Sequence, residues 1–280
     1  SERIDFIRYY IDMDFSGSIM NGHASLESLM EKGKQLVAGG RTDFINAEID
    51  TEAMNILLFT SATTATSKAV MLCHRNIVEN LMAMSSMVKI YPSDIFLSVL
   101  PLHHTYENTC GFLCPLYLGA SIAYCEGLRH IAKNLQESKA TIMLGVPLIY
   151  ESMYKRIWEQ AAKHPKVLRK LKLGLRINSL LKTFGIDLSR KLFAPIHNNF
   201  GGNIRLFISG AAAIDPIVAK GFRNMGIHFL QGYGLTECSP IVALNRDVDF
   251  KDEAAGLPLP GIEIKIDRPG PDGVGEICVK

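Results

Sequence analysis

The segment Asn55-Ile-Leu-Leu-Phe-Thr-Ser-Ala-Thr-Thr-Ala-Thr-Ser-Lys-Ala-Val-Met-Leu-Cys73 predicts a buried strand over residues 55–60, a loop of hydroxyl-bearing residues, and a second strand over residues 69–73. The loop, residues 60–68, offers hydroxyls, backbone N–H groups and the Lys68 ammonium to an anionic phosphate. It is not a P-loop, because the Gly-x-x-x-x-Gly-Lys-[Ser/Thr] pattern is absent from it. Taken alone, the loop is explained equally well as a Ser/Thr-rich surface turn.

Beyond this segment, strand-like apolar runs alternate with helical segments. Asn76 is placed to cap a helix over residues 77–89. Further strands are predicted at residues 94–100, 121–124, 141–144, 204–209 and 227–230, and helices at residues 26–37, 128–137, 147–163 and 216–225. This alternation is typical of an α/β protein with mixed, largely parallel sheets layered with helices.

The last thirty residues change character. Ile262-Glu-Ile-Lys-Ile266 and Glu276-Ile-Cys-Val-Lys280 alternate apolar and charged residues around Pro269-Gly-Pro-Asp-Gly273, which predicts a β-hairpin. Because the chain stops inside this hairpin, we expect native sequence to continue beyond Lys280.

Composition indicates a packed globular protein, since 48% of the 280 residues are apolar and 21% are charged. The formal net charge of +2 gives no support for nucleic-acid binding. Six cysteines without a pairing rhythm indicate reduced, mostly buried thiols of a cytosolic protein. Residues 108–125 carry no charge, but Gly and Pro interrupt them, so they predict a buried helix running into a strand rather than a membrane span.

Residues 163–191 are strongly basic, with nine Lys and Arg against the single acid Asp187. Leucines recur in this segment at helical spacing, which predicts a helix with one apolar face and one cationic face. A solvated surface helix explains the pattern. Anionic lipid headgroups or an acidic ligand would also suit the cationic face.

Three more motifs follow predicted strands. Ser209-Gly-Ala-Ala-Ala213 lets another group approach the backbone closely, and Pro101-Leu-His-His104 places imidazoles at a strand end. Gln231-Gly-Tyr-Gly-Leu-Thr-Glu237 predicts a tight turn that presents an aromatic ring, a hydroxyl and a carboxylate. Together these motifs offer a platform for a purine, a ligand for Mg²⁺ and donors for phosphate at the edge where open α/β sheets bind ligands.

This set of motifs resembles the adenylate-forming (AMP-binding) superfamily, and in detail the AMP-forming long-chain fatty-acid CoA ligases. The family's phosphate loop, Thr-Ser-Gly-Thr-Thr-Gly-x-x-Lys, matches residues 60–68 except at Ala62 and Ala65. Its Gly-Tyr-Gly-x-Thr-Glu motif matches residues 232–237 completely. The Pro-Leu-x-His, Gly-Ala-Ala and Gly-Glu-[Ile/Leu] elements match at residues 101–104, 210–212 and 275–277. The likeness covers residues 55–280.

The resemblance implies a role for each matched residue. Thr236 would contact the α-phosphate, Glu237 would bind Mg²⁺, Lys68 would hold the β- and γ-phosphates, and His104 would border the carboxylate and acyl pocket. Tyr233 would stack on adenine. The whole implied nucleotide-binding set is Thr60, Ser61, Thr63, Thr64, Thr66, Ser67, Gly210, Ala211, Ala212, Gly232, Tyr233 and Gly234.

The resemblance also implies an activity, namely ATP-dependent activation of a fatty acid to acyl-adenylate and then to acyl-CoA. ATP, Mg²⁺ and coenzyme A would take part in the cytoplasm, and residues 163–191 are the candidate for peripheral membrane contact. Two alternatives stay open: an amino- or aryl-acid adenylation domain, and a non-catalytic nucleotide-binding homologue weakened by Ala62 and Ala65.

The implied domain organisation has three parts. Residues 1–54 would be an N-terminal segment of the large domain, residues 55–250 the nucleotide- and acyl-binding core, and residues 251–280 the start of a β-barrel-like subdomain. The family's ribose-binding aspartate, hinge and catalytic lysine would lie beyond residue 280. We therefore expect the 280 residues alone to bind ATP weakly and not to complete thioester formation.

Ala62 and Ala65 give a first testable prediction. If either position needs a positive φ, alanine there costs on the order of 1 kcal/mol, and its methyl group occupies space meant for phosphate. The combined change Ala62→Gly and Ala65→Gly is therefore expected to tighten ATP binding. Calorimetric titration measures the affinity, and equal affinities before and after the change contradict the prediction.

Overall fold

The computed structural model describes residues 9–13, 23–60 and 68–280. The chain divides into two compact units, residues 1–50 and residues 51–280. In the first unit, strands β1 (Tyr10–Asp12) and β2 (His23–Ser25) pair in parallel, and helix α1 (Leu26–Ala38) follows as predicted. The Ser25 hydroxyl caps this helix by accepting the Ser28 N–H at 3.1 Å.

The second unit begins with an antiparallel hairpin of β3 (Met54–Thr60) and β4 (Lys68–Cys73), so both predicted strands form. The prediction that the first of them is buried is wrong, because no residue of β3 is buried and Phe59 is 69% exposed. Helix α2 (His74–Ser85) follows directly. The prediction that Asn76 is the N-cap is wrong, because the helix begins earlier and Cys73 is its N-cap. Asn76 still contributes, since its Oδ1 accepts the Cys73 N–H at 3.0 Å.

A seven-stranded sheet forms the centre of this unit. Its parallel strands are β5 (Ile95–Ser98), β6 (Ser121–Tyr124), β7 (Ile142–Gly145), β8 (Leu206–Ser209) and β9 (His228–Gly234). Strands β10 (Ile241–Leu244) and β11 (Leu257–Pro258) join it antiparallel. The order across the sheet is β11-β10-β9-β8-β7-β5-β6. The predicted mixed, largely parallel α/β fold is therefore confirmed.

Helices cover both faces of this sheet. One face carries α2, a π-helix (Tyr106–Leu113) and α3 (Cys114–Tyr117). The other carries α4 (Ile131–Ser138), α5 (Pro147–Ala162) and α9 (Pro216–Asn224), and α5 and α9 in turn support α6 (Pro165–Thr183). Two short helices, α7 (Ser189–Leu192) and α8 (Ala194–Asn199), lead into β8. Neighbouring residues of the central strands point into opposite cores, so these strands are predominantly apolar on both faces.

The predicted C-terminal hairpin is also confirmed, as β12 (Ile264–Asp267) pairs antiparallel with β13 (Glu276–Val279). Of the six cysteines, all unpaired, Cys110 and Cys114 are buried and Cys278 is exposed. The other three are half-buried, so the expectation of mostly buried thiols holds only in part. Within the described ranges, every helix is too short or too polar to cross a membrane.

The amino-terminal ends of three parallel strands meet at one buried carboxylate. Asp94, just before β5, accepts two hydrogen bonds from the Arg205 guanidinium, at 2.9 and 2.5 Å, and one from the Thr141 hydroxyl at 2.7 Å. Thr141 precedes β7 and Arg205 precedes β8. Burial alone would raise the pKa of Asp94, but the hydrogen bonds from Arg205, the Tyr91 N–H and Thr141 outweigh it and lower that pKa.

Candidate functional site

A cavity of about 450 Å³ opens at the opposite edge of the sheet, at the carboxyl ends of β7, β8 and β9. Helix α2 and the π-helix form its apolar side. Six of the residues predicted for the site line it, and they are His104, Gly210, Ala211, Gly232, Gly234 and Thr236. Loops after neighbouring parallel strands converge at this edge, which is where open α/β sheets bind small molecules.

Other predicted site residues lie outside the cavity lining. Thr60 and Lys68 are register partners at the end of the β3–β4 hairpin. Strand β4 packs against the 3₁₀ helix Thr236–Cys238, which carries the exposed Glu237. Tyr233 and Ala212 are not among the lining residues either. The predicted residues Ser61, Thr63, Thr64, Thr66 and Ser67 fall outside the described ranges.

The tight turn predicted over residues 231–237 is confirmed only at its end, because residues 231–234 belong to a strand. β9 continues through Gly234 and pairs with β10, with Tyr233 opposite Ala243. A Cβ atom on Gly234 would lie 2.0 Å from the Pro240 carbonyl oxygen. Glycine is thus required here because another backbone segment approaches closely, and the chain turns only after it, at Thr236–Cys238.

A buried asparagine holds this corner in place. The Asn80 side chain on α2 accepts the Ile241 N–H at 3.1 Å and donates to the carbonyls of Ile241 and Cys238, at 2.7 and 3.1 Å. Sequence reasoning missed Asn80. The available signal was an amide at helical spacing from the apolar residues Ile77 and Met84, where a core-facing position would be apolar.

The loops after β5 and β8 approach the same corner. His104 is exposed, with its ring 4.4 Å from that of His103, and the next residue, Thr105, is buried. The hydroxyls of Thr105 and Thr236 lie 3.5 Å apart. Ala211 has φ +70°, a left-handed conformation that costs an alanine about 1 kcal/mol. The site is therefore built in part from strained backbone.

An aromatic ring supports the loop after β8. A Cβ atom on Gly210 would lie 2.8 Å from the Cζ atom of Tyr106, so the backbone packs closely against this side chain. The Tyr106 hydroxyl donates to the Ile208 carbonyl at 3.2 Å, and burial raises the pKa of this hydroxyl. Tyr106 therefore stays a neutral hydrogen-bond donor, and its side chain fixes the position of the Gly210 backbone in the cavity wall.

The cavity wall also contains a buried carboxyl that sequence reasoning missed. Glu107, on the π-helix, is 1% exposed, and its Oε1 accepts the Ser98 hydroxyl at 2.5 Å. Its Oε2 has no hydrogen-bond partner among the described residues, and the same is true of the Ser209 hydroxyl in the same wall. Burial raises the pKa of Glu107 from 4.5 to about 7 against the opposing hydrogen bonds from Ser98 and the Leu100 N–H.

The raised pKa of Glu107 predicts a pH effect on stability. Folding favours the protonated form, so the contribution is fully present below pH 4.5 and is lost as pH rises through about 7. From pH 5.5 to 8, this group should lower the free energy of unfolding by about 2 kcal/mol. Denaturant unfolding of wild type and Glu107→Gln over this range measures the effect. Equal slopes for the two proteins would contradict it.

Comparison with known proteins agrees with this geometry. A model of the family described as AMP-binding enzyme matches residues 16–280. The chain is 30% identical over 249 residues to human long-chain-fatty-acid–CoA ligase 1, covering 82% of this chain and 35% of that protein. It is 29% identical over 248 residues to peroxisomal long chain acyl-CoA synthetase 7 of Arabidopsis thaliana, with the same coverage. The chain thus spans about a third of the length of these curated relatives.

Solved structures show the same fold. VinN in complex with L-aspartate superposes with a TM-score of 0.66 at 22% identity, covering 98% of this chain and 62% of VinN. The anthranilate CoA ligase AuaEII with anthranoyl-AMP gives a TM-score of 0.64 at 16% identity, covering 96% and 44%. At such identities the likeness establishes the fold alone. Since the family model matches nearly the whole sequence, the chain belongs to the AMP-binding enzyme family.

Proposed function

We propose that this chain forms the nucleotide- and acid-binding part of an AMP-forming acyl-CoA synthetase that acts on a fatty acid. The observation that carries the proposal is that one cavity, at the carboxyl ends of β7, β8 and β9, is lined by His104, Gly210 and Thr236 together. The similarity to long-chain acyl-CoA synthetases supports a long-chain fatty acid as the substrate. The unpaired cysteines suit a cytoplasmic location.

The proposed chemistry solves a leaving-group problem. A carboxylate is a poor acyl donor, so its oxygen first attacks the α-phosphorus of ATP, and pyrophosphate leaves. The coenzyme A thiolate then attacks the acyl carbon of the mixed anhydride, and AMP leaves. Neither step needs a covalent enzyme nucleophile. The protein must instead position two anionic reactants and offset their repulsion.

The site residues supply groups suited to that task. Tyr233 offers a ring for adenine and Thr236 a hydroxyl for the α-phosphate. Lys68 is exposed and has no acidic partner among the described residues, so its ammonium is available to the β- and γ-phosphates. His104 lines the cavity, which supports the proposal that it borders the acid's carboxylate. These roles follow the matched motifs. The shared cavity supports those of Thr236 and His104, whereas Tyr233 and Lys68 lie outside its lining.

The donor set near Thr236 fits Mg²⁺. Glu237 is exposed, follows Thr236 in the 3₁₀ helix and has no ion-pair partner among the described residues. Mg²⁺ is usually held by one or two carboxylates together with substrate phosphates, and Glu237 supplies one such carboxylate. When bound there, the ion would screen the phosphate charge.

The rest of the cavity suits an apolar acyl chain, because its wall away from the loops is formed by Met84, Val88, Ile90, Phe96 and Leu144.

One observation favours a second candidate for the substrate, an amino-substituted aryl acid. The unpartnered Glu107 Oε2 and Ser209 hydroxyl lie in this otherwise apolar wall, and a substrate amine would give Glu107 a donor.

A substrate panel tests the proposal. In the protein that carries this chain, palmitate is expected to support ATP–pyrophosphate exchange better than anthranilate or an amino acid. Tyr233→Ala should lower this exchange at least tenfold by removing the stacking surface for adenine. Tyr117→Ala, at a 56% exposed position on α3, serves as the matched control and should leave it unchanged. Nucleotide binding without exchange for any acid would establish a non-catalytic binding module instead.

A further inference from the structure

Helix α6 exposes a row of large apolar side chains on the side away from the core. Its inner side is formed by the buried Leu171, Gly174 and Asn178. Leu173, Ile177, Leu180 and Phe184 recur at intervals of three or four residues on the outer side, and we name these four the outer stripe. They are 57%, 42%, 63% and 72% exposed. The sequence prediction of one apolar and one cationic face is therefore incomplete, since apolar side chains lie on both.

Cations flank the outer stripe without compensating acids. Among the described residues, the side chains of six cations on or just before α6 are exposed and lie beyond 4.0 Å from any carboxylate: Lys163, Lys166, Arg169, Lys170, Lys172 and Arg176. Lys182 is different, because it pairs with Asp187 at 3.3 Å. The outer face of α6 is therefore both cationic and apolar.

These two properties together select a bilayer surface over other partners. Water or a polyanion such as nucleic acid would interact with the cations but would leave the apolar side chains of the outer stripe exposed to water. An anionic membrane interface satisfies both, since headgroups attract Lys and Arg and the boundary with the acyl chains accepts Leu, Ile and Phe. We propose that α6 docks on an anionic lipid surface, with the outer stripe inserted and the flanking cations on the headgroups.

This inference goes beyond the proposed ligase activity, because the docking depends on no residue of the cavity. If the substrate is a fatty acid, docking would also bring the enzyme to the phase in which such acids dissolve. The docking proposal and the proposed ligase activity can be refuted independently, since vesicle binding tests the first and pyrophosphate exchange tests the second.

Vesicle sedimentation of the 280-residue chain tests the proposal. The chain should sediment with vesicles of equal parts phosphatidylcholine and phosphatidylglycerol, and at least tenfold less with phosphatidylcholine alone. High salt should weaken the binding. Leu180→Ser combined with Phe184→Ser should reduce binding at least tenfold, and Arg169→Gln combined with Arg176→Gln by roughly fivefold for each removed cation.

Matched control variants come from the neighbouring elements. Leu148→Ser, at a 72% exposed position on α5, should bind like wild type, and so should Arg129→Gln combined with Arg156→Gln. Because all the changed side chains are exposed, thermal unfolding should be unchanged and confirms that each variant folds. Wild-type binding by the serine variant overturns the proposal. Tighter binding to polyadenylate than to vesicles would assign the face to nucleic acid and also overturns it.

Tryptophan fluorescence can measure insertion of the outer stripe into the bilayer. Trp158 is the only tryptophan, so replacing it leaves a background in which one new tryptophan is the sole probe. In a Trp158→Phe background, Phe184→Trp should shift its fluorescence to shorter wavelength on anionic vesicles and be quenched by brominated lipid. Leu148→Trp in the same background should do neither. Vesicle-bound Phe184→Trp protein with unshifted emission would overturn insertion of the outer stripe.

Discussion

Gly234→Ala is expected to abolish ATP binding under the proposed function and to lower the free energy of unfolding by roughly 3 kcal/mol. The new Cβ atom would lie 2.0 Å from the carbonyl oxygen of Pro240 and 2.8 Å from its carbonyl carbon. That backbone has little freedom to retreat, because Asn80 holds the next residue, Ile241, through both its N–H and its carbonyl. β9 and β10 must therefore separate, which displaces Tyr233 and Thr236. Denaturant unfolding and calorimetric titration with ATP measure the two effects.

Gly232→Ala is the matched control, two residues earlier on the same strand. Its Cβ atom would approach the Leu244 Cδ1 atom to 3.1 Å and the Ala243 carbonyl oxygen to 3.2 Å, so shifts of a few tenths of an ångström suffice. We expect a loss of about 1 kcal/mol and measurable ATP binding. Equal stability of the two alanine variants would contradict the argument from close backbone approach.

The same glycines show where sequence reasoning about the fold succeeds and where it fails. Apolar runs and helical periodicity predicted most strands and helices, because burial on a two-faced sheet leaves a continuous apolar pattern. The turn predicted over residues 231–237 begins later than expected, since Gly232-Tyr-Gly234 is strand and the chain turns at Thr236–Cys238. A glycine needed for close approach of a neighbouring strand has the same letter in the sequence as a glycine needed for a turn.

The candidate site was predictable where a motif follows a strand, as at His104 and Gly210. Parallel strands bring such positions to one edge whatever the strand order. Asn80 and Glu107 were not predictable in this way. Asn80 forms hydrogen bonds with residues up to 161 positions away, and Glu107 is buried where its carboxylate accepts a hydrogen bond from Ser98 on β5. Such roles depend on tertiary contacts that local sequence does not contain.

The prediction of one apolar and one cationic face for helix α6 was incomplete for a different reason. Two sets of apolar residues share one helix, and both have helical spacing. Leu168, Leu171 and Leu175 contribute to the core, whereas the outer stripe does not. A sequence pattern gives the period of a helix but cannot say which of two apolar sides meets the protein.

Arg205→Met is expected to lower the free energy of unfolding at pH 7 by about 3 kcal/mol, because it leaves the Asp94 carboxylate buried without its cation. That carboxylate is 4% exposed, and Arg205 donates to both of its oxygens. Methionine preserves much of the unbranched side-chain volume, so the loss reports mainly on charge. Arg268→Met is the matched control, since Arg268 is 83% exposed beside Asp267, and it should change stability by less than about 0.5 kcal/mol.

The contribution of Asp94 to the pH dependence of the free energy of unfolding should change sign in the Arg205→Met variant. In wild type the lowered pKa of Asp94 stabilises the fold above the unfolded value near 3.8, and this contribution is lost as pH falls through the folded pKa. Without Arg205, burial dominates and raises the Asp94 pKa, so the deficit of Arg205→Met should shrink as pH falls from 7 toward 4. Adding Asp94→Asn should recover part of the loss at pH 7. A deficit independent of pH, or a double variant less stable than the single one, would mean that the guanidinium acts through packing rather than charge. Because this cluster lies at the amino-terminal edge of the sheet, opposite the cavity, ATP affinity of the folded variants should stay at the wild-type value.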